Sequence, residues 1–159
     1  MDYNIFKHYP LSYSTYVIQS KMIDDKLHAY VFDKDGYKYV KVKPNVLIAR
    51  ALKKINSSFG HARDISKSIL GEQLKKLPLI VSNHYGQPLI MFPLFSPGSV
   101  DNIWVTYNTI THIGGQKDLV IVEFNHQSVI ELNVSRQSFN NQYVNAANLF
   151  KGSSSQWRS

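Results

Sequence analysis

The tetrapeptide Asp33-Lys34-Asp35-Gly36 is the strongest local constraint on the fold, because it lies between two runs of β-branched and aromatic residues, 27–32 and 37–42. Asp-Gly supplies the positive-φ positions that a tight hairpin turn requires, so these runs are expected to pair as antiparallel neighbours. The two aspartates also resemble the start of a calcium loop, but such a loop continues to a glutamate at its twelfth position, and none follows in register here. Further strands are expected at residues 12–19, 79–82, 88–92, 103–107, 119–124 and 129–134, for about eight in all. Asn83-His84-Tyr85-Gly86-Gln87 and Asn125-His126-Gln127-Ser128 read as turns between neighbouring strands, and residues 92–98 as a loop rich in turn formers. Helical spacing is present at 44–60, at 64–74 and at 137–150, where Phe139, Tyr143, Ala146 and Phe150 form one stripe. The expected fold is α+β: a mainly antiparallel, twisted or barrel-like sheet with two or three helices packed against it. Residues 1–159 are read as a single domain, with 1–11 a loose N-terminal arm and 151–159 a flexible tail containing Gly152-Ser153-Ser154-Ser155.

Hydrophobic content of 43% and aromatic content of 13% belong to a chain that folds. Cysteine is absent, which removes disulfides, thiolate zinc sites and a cysteine nucleophile together. The N-terminal residues lack the basic and apolar regions of a signal peptide, and no run approaches the roughly 18 apolar residues of a membrane span, so a cytoplasmic protein without membrane contact is expected. No enzyme signature is legible. The six histidines show no metal-ligand spacing, there is no P-loop, dinucleotide fingerprint or nucleophile elbow, and His61-Ala62-Arg63-Asp64 lacks every other part of a kinase signature. No cofactor or metal is expected.

Charge is distributed very unevenly. Residues 41–76 hold nine basic residues against two acidic ones, a local excess equal to the +7 of the whole chain. The remainder is electrically balanced, so the basicity describes a face rather than a diffuse property, and nucleic acid is the first partner to consider. Within this stretch Pro44 suits a helix start and Gly60 a helix end. Ile48, Ala51, Leu52, Ile55 and Phe59 share one side of the expected helix, and Arg50, Lys53, Lys54 and Ser57 the other. Positive charge continues through Arg63 and Lys67 to Lys75 and Lys76.

The same segment carries a resemblance. Lys43-Pro44, Arg50, Lys53, Ser57-Ser58-Phe59 and then Arg63 resemble the most characteristic segment of the ComK family of bacterial competence transcription factors. The likeness resumes at residues 76–81, at Phe92-Pro93 with Ser96, at Trp104, and at Ser138-Phe139-Asn140-Asn141-Gln142, covering about 13–150 in order. It implies a DNA-binding activator that recognises paired A/T-rich boxes, largely through the minor groove, as a homodimer that associates further on DNA. Carried onto this chain, it implies phosphate or groove contacts from Arg50, Lys53, Lys54, Arg63 and Lys67, with Ser57 beside them, and contacts to flanking phosphates from Lys43, Lys75 and Lys76. Two departures are visible: one residue is inserted before Arg63, and Asp64 follows it where the family tends to be glycine-rich and basic. The family's C-terminal extension, by which members are handed to Clp protease and which aids assembly on DNA, has no counterpart here. A short member lacking that extension is therefore expected.

Two other readings belong to different classes. A shortened ComK-like chain could modulate a full-length relative or another protein partner with little DNA binding of its own, using the closing helix and aromatic strands as an interface. Alternatively, the tyrosine-rich sheet could stack the bases of single-stranded nucleic acid or RNA.

Overall fold

The computed structural model describes residues 5–84 and 86–156 and places ten strands and three helices among them. Residues 1–4 of the expected arm, Tyr85 of the expected turn, and residues 157–159 of the expected tail lie outside the described residues. Seven strands form one sheet in the order β1-β4-β3-β2-β7-β6-β5, with β1 at Ile5–Phe6, β2 at Thr15–Ile23, β3 at Lys26–Asp33, β4 at Gly36–Val40, β5 at Leu79–His84, β6 at Gln87–Pro93 and β7 at Trp104–Thr106. A second sheet has the order β10-β9-β8, with β8 at Ile110–Gln116, β9 at Leu119–Phe124 and β10 at Ser128–Leu132. All pairings are antiparallel except β1 with β4, which is parallel. The helices are α1 (Pro44–Lys54), α2 (Phe59–Leu70) and α3 (Arg136–Gln156), and the fold is α+β. No helix among the described residues is long and apolar enough to cross a membrane.

The large sheet is covered on both faces. Ile18, Val31, Val40, Met91 and Trp104 meet Leu47, Ile48 and Leu52 of α1 on one side. Tyr16, Phe92 and Val105 meet Val120, Val122 and Phe124 of β9 and Phe139, Ala146 and Leu149 of α3 on the other. Strand alternation explains the division, since Leu89 and Met91 face α1 while Ile90 and Phe92 face α3. A strand buried on both faces is apolar throughout, as residues 88–92 are.

The hairpin at 33–36 forms as the sequence implies, with Asp33 paired to Gly36. Gly36 alone carries the positive φ, at 109°, and the Asp33 carboxylate accepts the Asp35 N–H at 2.8 Å. A second tight turn, at Asp24 and Asp25 with φ of 50° and 63°, joins β2 to β3 and prolongs β2 beyond residue 19. Short polar side chains tolerate this left-handed conformation.

Four expectations need correction. The helix expected over 44–60 is two helices, because Asn56 adopts φ 57° and ends α1; Phe59 and Gly60 belong to α2, which ends at Leu70 rather than 74. Ile55, assigned to the apolar side, is 36% exposed at the break. The arm is tied down: Ile5 and Phe6 pair with Tyr39 and Val40. Residues 151–156 continue α3 instead of forming a tail, and Ser153 is buried, its hydroxyl donating to the Phe150 carbonyl at 3.0 Å. Strand β8 was not expected at all.

Candidate nucleic-acid interface

The basic segment is shaped by how α1 stops and α2 starts. After Lys54 the chain makes a double closure: the Asn56 N–H donates to the Lys53 carbonyl at 3.1 Å and the Ser57 N–H to the Leu52 carbonyl at 2.9 Å. With Asn56 in the left-handed region this is a Schellman-type ending, a position usually held by glycine and sometimes by asparagine. Two residues later Ser58 caps α2, its hydroxyl accepting the His61 N–H at 3.2 Å. Ser57-Ser58-Phe59 is therefore the corner between two helices, and Ser57 is a half-buried corner residue rather than part of a helix face.

At the other end of α1, Lys43 occupies the cap position with an exposed side chain, and Pro44 begins the helix. Asn45 fixes the helix to the sheet. Its Oδ1 accepts the Trp104 indole N–H at 2.9 Å, and its Nδ2 donates to the Pro97 carbonyl at 2.7 Å. Lys53 and Lys54 lie in the last turn, where the helix dipole favours cations.

The structure gathers some of the nine sequence-selected residues and separates others. Arg50, Lys53 and Lys54 line a groove of about 650 Å³ whose opposite wall is the arm at His8–Leu11. Arg63 and Lys75 share a different groove of about 290 Å³ with Phe59 and the loop at Ser96–Gly98. The side chains of Lys43, Lys53, Lys54, Arg63 and Lys75 are exposed and make no hydrogen bond or ion pair among the described residues. Arg50 is exposed, but its Nη1 donates to the Lys7 carbonyl at 3.2 Å. Lys67 is half-buried on α2. Lys76 is set apart: its Nζ donates to the Leu94 carbonyl at 3.3 Å, and its own carbonyl accepts from Gln142 of α3. It holds α3 and the loop after β6 together, a role that a count of charges does not reveal.

The arm's share in the first groove was not legible from sequence, because it depends on a contact across the fold. The Tyr9 hydroxyl donates to Asp33 Oδ2 at 2.7 Å, and the same carboxylate oxygen receives Lys38 Nζ at 2.6 Å. Burial pushes the Tyr9 hydroxyl well above the ordinary tyrosine range, and the Asp33 carboxylate adds to this. Burial also pushes the Asp33 carboxyl upward, but the hydrogen bonds from Lys38, Tyr9 and the Asp35 N–H outweigh it and hold the group below the usual carboxylate value.

The tyrosines considered for base stacking are stacked on one another. Tyr30 meets Tyr37 at 4.8 Å and 14°, and Tyr39 at 4.8 Å and 32°; Tyr37 meets Phe32 at 4.8 Å and 29°. Tyr30 and Tyr37 each have two aromatic neighbours, and Lys21 Nζ lies 5.1 Å from the centre of the Tyr30 ring, so these rings are already engaged with protein groups.

Residues 6–157 match the family model described as ComK protein. No curated protein and no solved structure matches the chain.

Proposed function

The chain belongs to the ComK family of competence transcription factors, and on that footing we propose that it is a DNA-binding transcription regulator that prefers A/T-rich boxes and reads them chiefly through the minor groove. The observation that carries this reading is the basic surface on either side of the α1–α2 corner, where Lys53 and Lys54 at the end of α1 and Arg63 on α2 stand exposed and unpaired among the described residues. A narrow A/T minor groove has an enhanced negative potential that attracts inserted Arg and Lys, and a compact basic corner suits it better than a long reading helix. Lys53, Lys54 and Arg63 contact the groove or its phosphates, Arg50 and Lys67 support them, and Lys43 and Lys75 reach flanking phosphates. Lys76 contributes charge, but its Nζ is already engaged by Leu94.

The protein acts as a homodimer, in the cytoplasm and in association with the nucleoid. Support for self-association comes from the outer face of α3, where Gln137, Asn140, Asn141, Val144 and Asn148 are exposed, with Lys151 the one charge on that side. Carboxamides both donate and accept, so such a face is complementary to a second copy of itself, and its single charge keeps repulsion low between two chains of +7.

Fluorescence anisotropy with an A/T-box duplex, a G·C-rich duplex and single-stranded DNA at two salt concentrations tests this reading. Tight, salt-sensitive binding that favours the A/T duplex is expected. Changing Lys53 and Lys54 to Ala should flatten the salt slope by about 0.9 per lost phosphate contact, which narrows the affinity gap to wild type roughly tenfold between about 50 and 200 mM salt. Weak binding without preference would refute the proposal, and an unchanged slope would remove these lysines from the interface.

A further inference from the structure

A second cationic site lies outside the helix corner, at the end of the large sheet where β1, β3 and β4 meet the β2–β3 turn. Lys7, Lys26 and Lys41 line one cavity of about 530 Å³ together with His28, Asp24, Ile5 and Ile23. The strand registers account for the convergence. Phe6 and Ala29 both pair with Val40, so the next residue pairs in line are Lys7 with Lys41 and His28 with Lys41, on one face of the sheet.

The lysine side chains are exposed, and none forms an ion pair or hydrogen bond among the described residues. Asp24 also lines the cavity, but it is not in an ion pair with any of them. His28 is 3% exposed, and its Nδ1 donates to the Lys26 carbonyl at 3.0 Å. That bond assigns the ring proton to Nδ1 and leaves Nε2 without a protein partner among the described residues, as the polar atom the ring offers to the cavity. A nearly buried, half-satisfied imidazole on the floor of a cavity rimmed by three ammonium groups is a poor arrangement for stability alone, since three positive charges gather there against the single Asp24 carboxylate, which pairs with none of them.

We propose that this cavity is a binding site for a phosphate group, distinct from the DNA-contacting corner. The three ammonium groups supply charge-assisted donors, and His28 Nε2 accepts from a phosphate hydroxyl or, when the ring is protonated, donates to a phosphate oxygen. Ile5 and Ile23 give the cavity an apolar side, and its volume matches that of small-molecule sites, so the ligand class is an organic phosphate of nucleotide size or free inorganic phosphate.

Amide NMR titrations of the full chain at constant ionic strength, with inorganic phosphate, adenosine 5′-monophosphate and adenosine as probes, test the assignment. Both phosphates should shift residues 23–28 and 40–41, and adenosine should not. Tighter binding of the nucleotide assigns the site to organic phosphates, and equal binding to the free ion. The double change Lys26→Ala and Lys41→Ala alters two exposed side chains, so the fold is retained, and it should weaken phosphate binding by about tenfold or more. Changing Lys53 and Lys54 to Ala should leave it within a factor of about two. Shifts confined to residues 43–76, or equal affinity for the Lys26/Lys41 variant and wild type, would overturn the proposal while leaving the DNA-binding reading untouched.

Discussion

Replacing Asn45 with Leu isolates the attachment that sets the position of α1. The substitution keeps the side-chain size close, so its effect is on hydrogen bonding rather than volume. Trp104 is 0% exposed, and its indole N–H has Asn45 as partner. With that acceptor gone and water excluded, the orphaned donor carries its full desolvation penalty of about 1–3 kcal/mol. Pro97 is only partly buried, so water replaces the lost carboxamide there and the loss is about 0.5–1.5 kcal/mol. Together the change should destabilise the protein by about 1.5–4.5 kcal/mol, roughly 10- to 2,000-fold in the folding equilibrium. Urea denaturation followed by circular dichroism reads this directly, as a lower midpoint with an unchanged slope. Trp104→Phe removes the donor, so the double variant should be less destabilised than the sum of the single ones by about 1 kcal/mol or more. A loss under about 0.5 kcal/mol for Asn45→Leu, or strict additivity in the cycle, would refute the account of how α1 is held.

Two further substitutions probe the arm and the small sheet. Tyr9→Phe removes a hydrogen bond to an ionised carboxylate and should destabilise by about 1–2 kcal/mol at neutral pH. Because the Asp33 carboxyl is depressed in the folded protein, the stability it carries is complete above its unfolded value near about pH 4 and is lost as the pH falls through the folded value. The Tyr9→Phe difference should therefore shrink in acid-unfolding curves as the pH falls through the depressed Asp33 value, and a difference that grows there would contradict the assignment. Gly115→Ala places a Cβ against the Leu119 carbonyl oxygen and 3.0 Å from the Ile121 nitrogen, at a φ of 107°. A loss of at least about 3 kcal/mol is expected, against about 1 kcal/mol or less for Gly114→Ala, whose nearest neighbour is a side-chain atom at 3.7 Å; similar melting curves for the two would show that β8 yields at Gly115.

Most of the fold was legible where burial and turn chemistry agreed. Residues 88–92 are apolar without interruption because both faces of β6 are covered, and the 33–36 turn is announced by Asp-Gly. The errors have local causes. Asn56 ended α1 in a conformation for which Gly60 was the more familiar candidate, so one amphipathic run concealed two helices. β8 has glycines at 114 and 115 and no fully buried residue, so it shows no alternation; its partner β9 defines it. The clustering of positive charge in residues 41–76 was legible as a count, because surface cations need no partner to be recognised. The second use of Lys76, and the arm as a wall of the first groove, depend on contacts with Leu94 and Arg50 that lie 18 and 43 residues away in the chain.

The same arm closes both cavities. Lys7 lines the cavity proposed for phosphate while its carbonyl is held by Arg50, and His8–Leu11 wall the groove beside Lys53 and Lys54. Any ligand whose affinity depends on where residues 7–11 sit is thermodynamically linked to the other through that segment. The linkage is reciprocal: the factor by which a phosphate at Lys26 and Lys41 changes DNA affinity equals the factor by which DNA changes phosphate affinity. A segment of five residues would then serve as the exchange through which a small metabolite and a promoter sense each other's presence.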